Sequence, residues 1–299
     1  MLKVEHVTKY YGDFRAVNDI SFEIHEGEIF GLLGVNGAGK TTTFRMIMGL
    51  LDKNGGKITL DGKEIDYSQT DKIGFLTEER SLLLTKTVLE QAIYYGVLKG
   101  LTKEEVETRL DEYLKEFNIE EYKNKKITEL SKGNQQKIQF ILALLHKHKL
   151  LILDEPFSGL DPINVEMFKK EILKQKEQNT IIIFSSHMME HVEYFCDSLI
   201  ILVKGNNVLS GKLSKIKKDY RRKNIKVIGD VDKDEILKIK GVVSVDKNKS
   251  EYTIKIEDDG VTHNVFKALA KCENITKLVV EEPTLNEIFI DKVGDSYEK

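Results

Sequence analysis

The sequence is poor in cysteine and lacks a long apolar run, and each absence excludes a class of protein. Its 299 residues include two cysteines, Cys196 and Cys272, far apart and without a CxxC spacing. Neither a disulfide framework nor a zinc ribbon is therefore expected, and a reducing cytosol fits. No segment approaches the roughly 18 uninterrupted apolar residues that cross a bilayer. The first residues lack a basic region followed by an apolar run, so no secretory signal is expected.

A strong excess of either charge is also missing. The 46 basic residues nearly balance the 49 acidic ones, for a formal net charge of -3. No global field therefore selects nucleic acid or an anionic membrane as a partner. The 40% hydrophobic and 32% charged residues are typical of a soluble globular protein. At roughly 150 residues per domain, the length predicts two domains.

Short apolar runs alternate with longer helical patterns in the first two thirds of the chain. The pairs are 29–33 then 41–50, 150–153 then 164–174, and 180–184 then 188–195. Strand followed by helix, repeated, predicts an α/β fold with a buried, mostly parallel sheet. Period-two alternation around residues 2–7 and 20–24 predicts an antiparallel β subdomain at the start. Three- and four-residue spacings between 87 and 117 predict a helical subdomain at about 85–145.

A basic run marks a predicted domain boundary. Eight basic residues face one acid, Asp219, in this stretch: Lys212, Lys215, Lys217, Lys218, Arg221, Arg222, Lys223 and Lys226. We place the junction there, with a first domain of residues 1–218 and an accessory domain of 219–299. The accessory domain reads βαββαβ, which predicts a small α+β ferredoxin-like fold. The basic run itself is interpreted as a solvated linker face rather than a lipid or nucleic-acid contact.

A phosphate-binding motif follows the strand at 29–33. Residues 34–41 match G-x-x-x-x-G-K-[ST] and open the next helix, which is where a P-loop belongs; the alternative is a glycine-rich turn. The backbone N–H groups and the helix N-terminus are expected to surround the phosphates, Lys40 to reach the β- and γ-phosphates, and Thr41 to ligate Mg²⁺. The predicted nucleotide-binding residues are Gly34, Asn36, Gly37, Ala38, Gly39, Lys40, Thr41 and Thr42.

Two carboxylates end the apolar strand at 150–153. Asp154 and Glu155 match a Walker B pattern, and a buried parallel strand delivers such residues to the edge of the sheet where ligands bind. We therefore expect Asp154 beside Mg²⁺ and Glu155 against the attacking water, as general base or as the group that orients the water. A solvated strand end is the alternative for this segment taken alone.

The segment Leu-Ser-Lys-Gly-Asn-Gln-Gln-Lys at 130–137 makes the comparison specific, because it resembles the signature loop of ABC ATPases. Ser131 and Gly133 match that loop, whereas Lys132 and Asn134 depart from it. In that family the loop binds the γ-phosphate held by the opposite subunit, and a serine at a helix N-terminus still favours an anion here. An ordinary helix N-cap is the alternative.

Further segments resemble the rest of the family's motifs in order. Tyr11 resembles the aromatic residue that stacks on adenine, with Tyr10 as its rival. Asp161, in Ser-Gly-Leu-Asp-Pro at 158–162, resembles the D-loop, and His187 resembles the switch histidine. Glu78 stands where the family usually has glutamine, so it is predicted to contact Mg²⁺ and nucleotide, with Glu79 as the alternative.

Two histidine pairs have spacings that suit a metal, but no cysteine or acid cluster accompanies them. These are His146 with His148 and His187 with His191. We expect them not to bind metal.

The resemblance implies an ATP-hydrolysing subunit of an ABC transporter, using ATP and Mg²⁺ and catalysing through Lys40, Glu155 and His187. Its implied partners are a separate transmembrane permease and a second copy of itself or a related ATPase, at the cytoplasmic face of the membrane, with no nucleic acid. The signature variant, Glu-Glu-Arg at 78–80 and Pro-Thr-Leu-Asn-Glu-Ile-Phe at 283–289 resemble bacterial drug- or sodium-efflux exporters. The alternatives are a soluble ABC-type ATPase acting on nucleic acid or ribosomes, and a P-loop GTPase or kinase, for which the base-reading N-K-x-D motif is absent.

Overall fold

The computed structural model describes residues 1–79, 81–220, 222–272 and 274–297, with the side chains of 295–297 excluded. Arg80 and Arg221, which belong to two of the sequence patterns above, lie outside this part. The chain divides into two compact units, Met1–Ser210 and Gly211–Lys299. Each is described by itself.

The first unit is built on a ten-stranded sheet. Its strands are β1 (Leu2–Tyr11), β2 (Phe14–Ile24), β3 (Ile29–Gly34), β4 (Gly55–Leu60), β5 (Lys63–Glu64), β6 (Ile73–Leu76), β7 (Leu150–Asp154), β8 (Ile181–Ser185), β9 (Ser198–Val203) and β10 (Asn206–Lys212). Their order is β5-β4-β1-β2-β10-β9-β3-β8-β7-β6. The β9-β3-β8-β7-β6 part is parallel, whereas β1 pairs antiparallel with β2 and β4. This confirms the predicted α/β fold with an antiparallel subdomain.

Helices connect and cover the parallel strands. They are α1 (Lys40–Ile47), α2 (Val88–Leu98), α3 (Lys103–Glu116), α4 (Lys132–Leu144), α5 (Pro162–Glu177) and α6 (Met189–Phe195). Capping boxes start α2 at Thr87 and α3 at Thr102, which explains why the helical pattern at 87–117 divides into two helices. Helix α1 ends three residues earlier than predicted, near Gly49, whose φ of 68° is the left-handed conformation that stops helices.

Two apolar regions hold the first unit together. Leu32, Leu150, Ile152 and Ile183 belong to one buried cluster, and every residue of β3, β7, β8 and β9 is buried, so these strands are packed on both faces. Beneath the helices, the ring of Phe140 stacks on that of Phe168 with centroids 4.3 Å apart. Phe117, which follows α3, contacts both rings edge-on, so the packing of α3, α4 and α5 fixes where the N-terminus of α4 lies.

The second unit is a four-stranded antiparallel sheet with helices. Its elements are α7 (Leu213–Asp219), β11 (Lys223–Ile228), α8 (Lys233–Leu237), β12 (Val242–Asn248), β13 (Glu251–Ile256), α9 (Thr262–Leu269), β14 (Lys277–Glu281) and α10 (Leu285–Tyr297). The strand order β12-β13-β11-β14 is that of a ferredoxin-like fold, as predicted. Asn224 on β11 donates a hydrogen bond to Glu287 at 2.8 Å, which ties α10 to the sheet.

No helix among the described residues is both long and apolar enough to cross a membrane.

Candidate active site

The P-loop is a backbone cradle that only glycine can form at two positions. Gly39, which precedes α1, has φ of 104°, and a Cβ there would lie 2.5 Å from the carbonyl oxygen of Ala16. A Cβ on Gly34, with φ of 154°, would lie 2.5 Å from the carbonyl oxygen of Leu202. Both glycines therefore let strand β3 turn sharply into α1, and the N-terminus of such a helix is suited to hold an anion.

Lys40 is held inside this loop. Its Nζ donates to the carbonyl oxygens of Gly34 at 2.7 Å and Val35 at 3.5 Å. Burial lowers the pKa of Lys40, while the negative fields of Asp154, Glu155 and Glu78 oppose the shift. The amine thus lies close to three predicted site carboxylates. Phosphate oxygens can replace the loop carbonyls as acceptors of its hydrogen bonds.

Asp154 ends β7 against a serine of the next strand. The register pairs Asp154 with Ser185 of β8, and the Ser185 hydroxyl donates to Asp154 Oδ1 at 2.5 Å. Burial raises the pKa of Asp154, which is 5% exposed, while the Ser185 hydrogen bond opposes that shift. The hydroxyl therefore orients the carboxylate and favours its ionised form.

Glu155 combines burial with an unusual backbone. Its φ is 49°, and its N–H donates to Ser185 Oγ at 3.2 Å. Burial raises the pKa of Glu155, while the adjacent His187 opposes the shift. Oε1 lies 3.3 Å from Nε2 of His187, and no described donor completes a hydrogen bond to it. A buried carboxylate with a raised pKa and an unsatisfied oxygen is suited to accept a proton from water.

The oxygen donors present fit Mg²⁺. Thr41, at the start of α1, and Glu78, after β6, are exposed, and the field of Glu78 acts on Asp154. Hydroxyl and carboxylate oxygens are the ligands this cation prefers, usually one or two carboxylates completed by substrate phosphates and water. In the described part of the chain no group of three His, Cys, Asp or Glu residues forms a metal site alone. The set thus suits a cation that arrives with a triphosphate.

Ser131, Gly133 and Asp161 form a second cluster. Ser131 Oγ accepts the Asn134 N–H at 3.3 Å as the N-cap of α4, and Asp161 caps α5 by accepting the Asn164 N–H at 3.0 Å. A Cβ on Gly133 would lie 4.0 Å from the Gly159 carbonyl oxygen, so the α4 N-terminus adjoins the 158–162 loop. Ser131 and Asp161 are exposed, and no described hydrogen bond or ion pair joins this cluster to Lys40.

Tyr11 and Tyr10 remain rivals for the adenine contact. Tyr11 is 47% and Tyr10 38% exposed at the end of β1. The Lys9 ammonium lies 5.5 Å from the Tyr11 ring centroid and the Arg15 guanidinium 5.2 Å from that of Tyr10. Both exposed rings remain candidates for stacking on a base.

His146 and His148 are buried and uncharged rather than gathered around a cation. Their pKa values are lowered to about 3 and about 4, mainly by burial. The Nδ1 of His148 donates to the His146 carbonyl oxygen at 3.0 Å. This contact leaves Nε2 as its unprotonated nitrogen.

Ser185 contacts two of the predicted site residues, although the sequence alone did not single it out. It follows the apolar run of β8 and is fully buried, and its single hydroxyl serves both Asp154 and the backbone of Glu155. The sequence does offer one signal for Ser185, because it is a polar residue that ends a strand two positions before the candidate His187. Its contact with Asp154, however, becomes visible only when β7 is paired with β8.

Two protein-family models match the chain, one in each compact unit. A family model described as "ABC transporter" matches residues 17–158, and one described as "ATP-binding protein DrrA1-3-like, C-terminal domain" matches residues 211–293. The chain is 47% identical over 298 residues to the uncharacterized ABC transporter ATP-binding protein YhaQ of Bacillus subtilis (strain 168), with 100% of both chains covered.

It is also 32% identical over 306 residues to the linearmycin resistance ATP-binding protein LnrL of the same organism, with 98% of each chain covered. Among solved structures, the dimeric post-hydrolysis state of the ATP-binding cassette MJ0796 bound to ADP and Pi matches with a TM-score of 0.65 at 26% identity. That match covers 71% of this chain and 99% of the cassette.

Proposed function

The chain belongs to the ABC transporter ATP-binding proteins, and on this premise we propose how it works as an ATPase subunit that powers transport. Two copies close over two Mg²⁺-bound ATP molecules, each triphosphate held by the P-loop of one copy and the signature loop of the other. One observation carries this proposal. Lys40, Asp154, Glu155 and His187 gather at one sheet edge, whereas the exposed Ser131 has no described link to Lys40.

The residues at the sheet edge divide the chemistry between them. Lys40 and the α1 N-terminus bind and orient the phosphates. Thr41 and Asp154, with Glu78 as a further ligand, would hold Mg²⁺, and the bound ion would supply positive charge against the phosphates. Glu155 orients a water whose oxygen bonds to the γ-phosphorus while its proton passes to the carboxylate. The bond to the β–γ bridging oxygen breaks, and that oxygen keeps the electron pair in ADP.

His187 and the partner copy complete the site. His187 is half-exposed and 3.3 Å from Glu155, so it can contact the γ-phosphate while holding the carboxylate in place. Ser131 and Gly133 of the partner subunit offer a hydroxyl and free N–H groups to the same phosphate. Asp161 borders that surface on the 158–162 loop. Because each site needs both copies, ATP binding brings the copies together and hydrolysis separates them.

A separate membrane permease is the proposed recipient of this motion. A cavity of about 660 Å³ opens between the β6 region and helices α2 and α4, lined by Phe75, Leu82, Leu98 and Leu142 among others. Leu98 is 65% exposed. An apolar concave surface of this kind accommodates an amphipathic helix. We propose that the chain works at the cytoplasmic face of the membrane. The similarity to a resistance protein supports export over import.

Replacement of the proposed base tests the chemistry. In Glu155→Gln we expect nucleotide binding to persist, turnover to fall at least ~100-fold, and ATP to trap a dimer in size-exclusion chromatography with light scattering. The control is Glu177→Gln, an exposed acid at the end of α5. Turnover near the wild-type rate in Glu155→Gln would remove the role proposed for this residue.

Two further measurements separate binding from coupling. Lys40→Ala is expected to weaken ATP binding in calorimetry, and an unchanged affinity contradicts the P-loop assignment. Leu98→Glu is expected to abolish recovery of the chain with detergent-solubilised membrane proteins while its own ATPase rate is kept. The matched control is Ile290→Glu, 61% exposed on α10. Equal recovery of both variants argues against docking at the cavity, and recovery with nucleic acid or ribosomes instead favours a soluble ATPase.

A further inference from the structure

Strand β14 ends the sheet of the second unit with an apolar centre between two charged end residues. Among the described residues it pairs with β11 alone, so one row of its backbone N–H and C=O groups faces outward. Three consecutive apolar residues are exposed on it: Leu278 by 39%, Val279 by 37% and Val280 by 41%. An exposed apolar edge of this kind is a template for pairing with another strand.

The opposite edge of the same sheet is protected. Strand β12 has a register irregularity between Val242 and Ser244 and ends in Asp246, Lys247 and Asn248. Bulges and charges are the features by which natural edges avoid strand addition. Only Val243, 45% exposed, is a large exposed apolar residue on β12. The two edges therefore differ in kind, and β14 is the one suited to pairing.

The sequence of β14 is complementary to itself when reversed. It reads Lys-Leu-Val-Val-Glu, with opposite charges at its two ends. In antiparallel pairing about a two-fold axis at Val279, Lys277 faces the partner's Glu281. Leu278 then faces the partner's Val280, and Val279 faces the partner's Val279. Apolar pairs directly opposite each other and opposite charges both stabilise an antiparallel ladder.

We propose that β14 joins the second units of two copies of this chain into one continuous antiparallel sheet. The charge order selects a second copy, because two-fold symmetry supplies the reversed partner automatically, whereas parallel pairing would set Lys277 against lysine. Lys277 already contacts Glu251 at 2.9 Å and Glu281 contacts Lys226 at 2.7 Å. Pairing would extend these exposed contacts into an alternating row of charges. This contact uses no nucleotide, so it adds to the proposed ATP-dependent dimer.

A cysteine on the two-fold axis tests the register. In the full-length chain carrying Cys272→Ala, we expect Val279→Cys to form a disulfide-linked dimer on mild oxidation without nucleotide. Opposed residues of antiparallel strands have Cβ atoms about 4.5–5.5 Å apart, within reach after small adjustment. Val243→Cys, in the same background, is the matched control on the other edge. The remaining cysteine, Cys196, is buried. Cross-linking of Val279→Cys no faster than that of Val243→Cys overturns the proposal.

Light scattering supplies a second test that does not depend on oxidation. The nucleotide-free chain is expected to be a dimer at micromolar concentration, and Val279→Lys to be a monomer with unchanged circular dichroism. Val243→Lys should remain dimeric. A monomeric wild-type chain, or a dimeric Val279→Lys, contradicts the β14 contact.

The same variants separate this contact from the proposed nucleotide sandwich. Lys40→Ala should keep the nucleotide-free dimer. Val279→Lys combined with Glu155→Gln should dimerise only when ATP is added. If that double variant stays monomeric with ATP while Lys40→Ala is dimeric, the nucleotide sandwich fails and the β14 contact stands.

Discussion

Acidification should destabilise the first unit through two buried histidines. His146 and His148 lie 5% and 9% exposed between α4 and β7, and their pKa values are lowered to about 3 and about 4. Their ordinary pKa is about 6.5. As the pH falls below 6.5, the unfolded chain takes up a proton at each ring that the folded chain does not accept. Stability is therefore lost from about pH 6.5 downward, until the folded pKa values are reached.

The size of the effect follows from linkage. For a group with an unfolded pKa near 6.5 and a folded pKa well below 5, the loss between pH 7 and pH 5 is about 2 kcal/mol. Two such rings give about 4 kcal/mol, a large part of the roughly 5–15 kcal/mol that stabilises a domain. The structure supplies the cause, because both rings are buried and the positive charge of Lys99 acts on each of them. Burial outweighs the contacts of His146 with Ile73 and of His148 with Gln175, which favour the protonated rings.

Hydrogen exchange at β7 measures this loss in the first unit alone. The amides of this fully buried strand exchange through large-scale opening, and their free energy of opening can be corrected for the intrinsic effect of pH. We expect it to fall by about 4 kcal/mol more in the wild type than in His146→Asn/His148→Asn between pH 7 and 5. His25→Asn, an exposed ring after β2, should keep the wild-type slope. Parallel pH slopes in the wild type and the double variant would refute the reasoning.

Three further substitutions test individual contacts of the site. Ser185→Ala should lower the unfolding free energy by about 2–4 kcal/mol in urea titrations, since it removes a hydrogen bond to a carboxylate and strands the Glu155 N–H. Ser185→Thr, which keeps the hydroxyl, should lose less, and equal losses would show that the hydroxyl is unimportant. Gly39→Ala should abolish nucleotide binding in calorimetry, because its Cβ meets the Ala16 carbonyl oxygen at 2.5 Å; Gly37→Ala, which meets no atom within 4 Å, should be milder. Tyr11→Ala should weaken ATP binding by about 1–3 kcal/mol through lost stacking, with Tyr10→Ala unchanged; the reverse pattern would transfer the adenine contact to Tyr10.

Local sequence patterns predicted the elements that carry their own signals. The P-loop was predictable because its glycines and Lys40 are fixed by the turn itself, and the ferredoxin-like order followed from strand and helix periodicity. Strands β4, β5, β9 and β10 were not assigned. β10 is largely exposed and contacts β2 at a single residue pair, so no alternation marks it. Its place depends on the rest of the sheet rather than on its own residues.

Contacts between distant segments were the other part that the sequence could not supply. The histidines at 146 and 148 have a spacing that suits a metal, and only their burial shows that they are uncharged. Likewise, Ser185 gains its role from standing opposite Asp154 in the β7 and β8 register. A shift of one residue would turn its hydroxyl to the other face of the sheet.

Glu155 is held in a conformation and an ionisation state that both cost free energy. A non-glycine residue with φ of 49° is strained by roughly 1–3 kcal/mol, and burial disfavours its charge. Ser185 and His187 offset part of these costs. Glu155→Gln keeps the backbone and side-chain shape but removes the buried charge, so it should be at least as stable as the wild type. Loss of turnover in that variant therefore reports on chemistry rather than on folding, which is why it is the decisive substitution for the proposed mechanism.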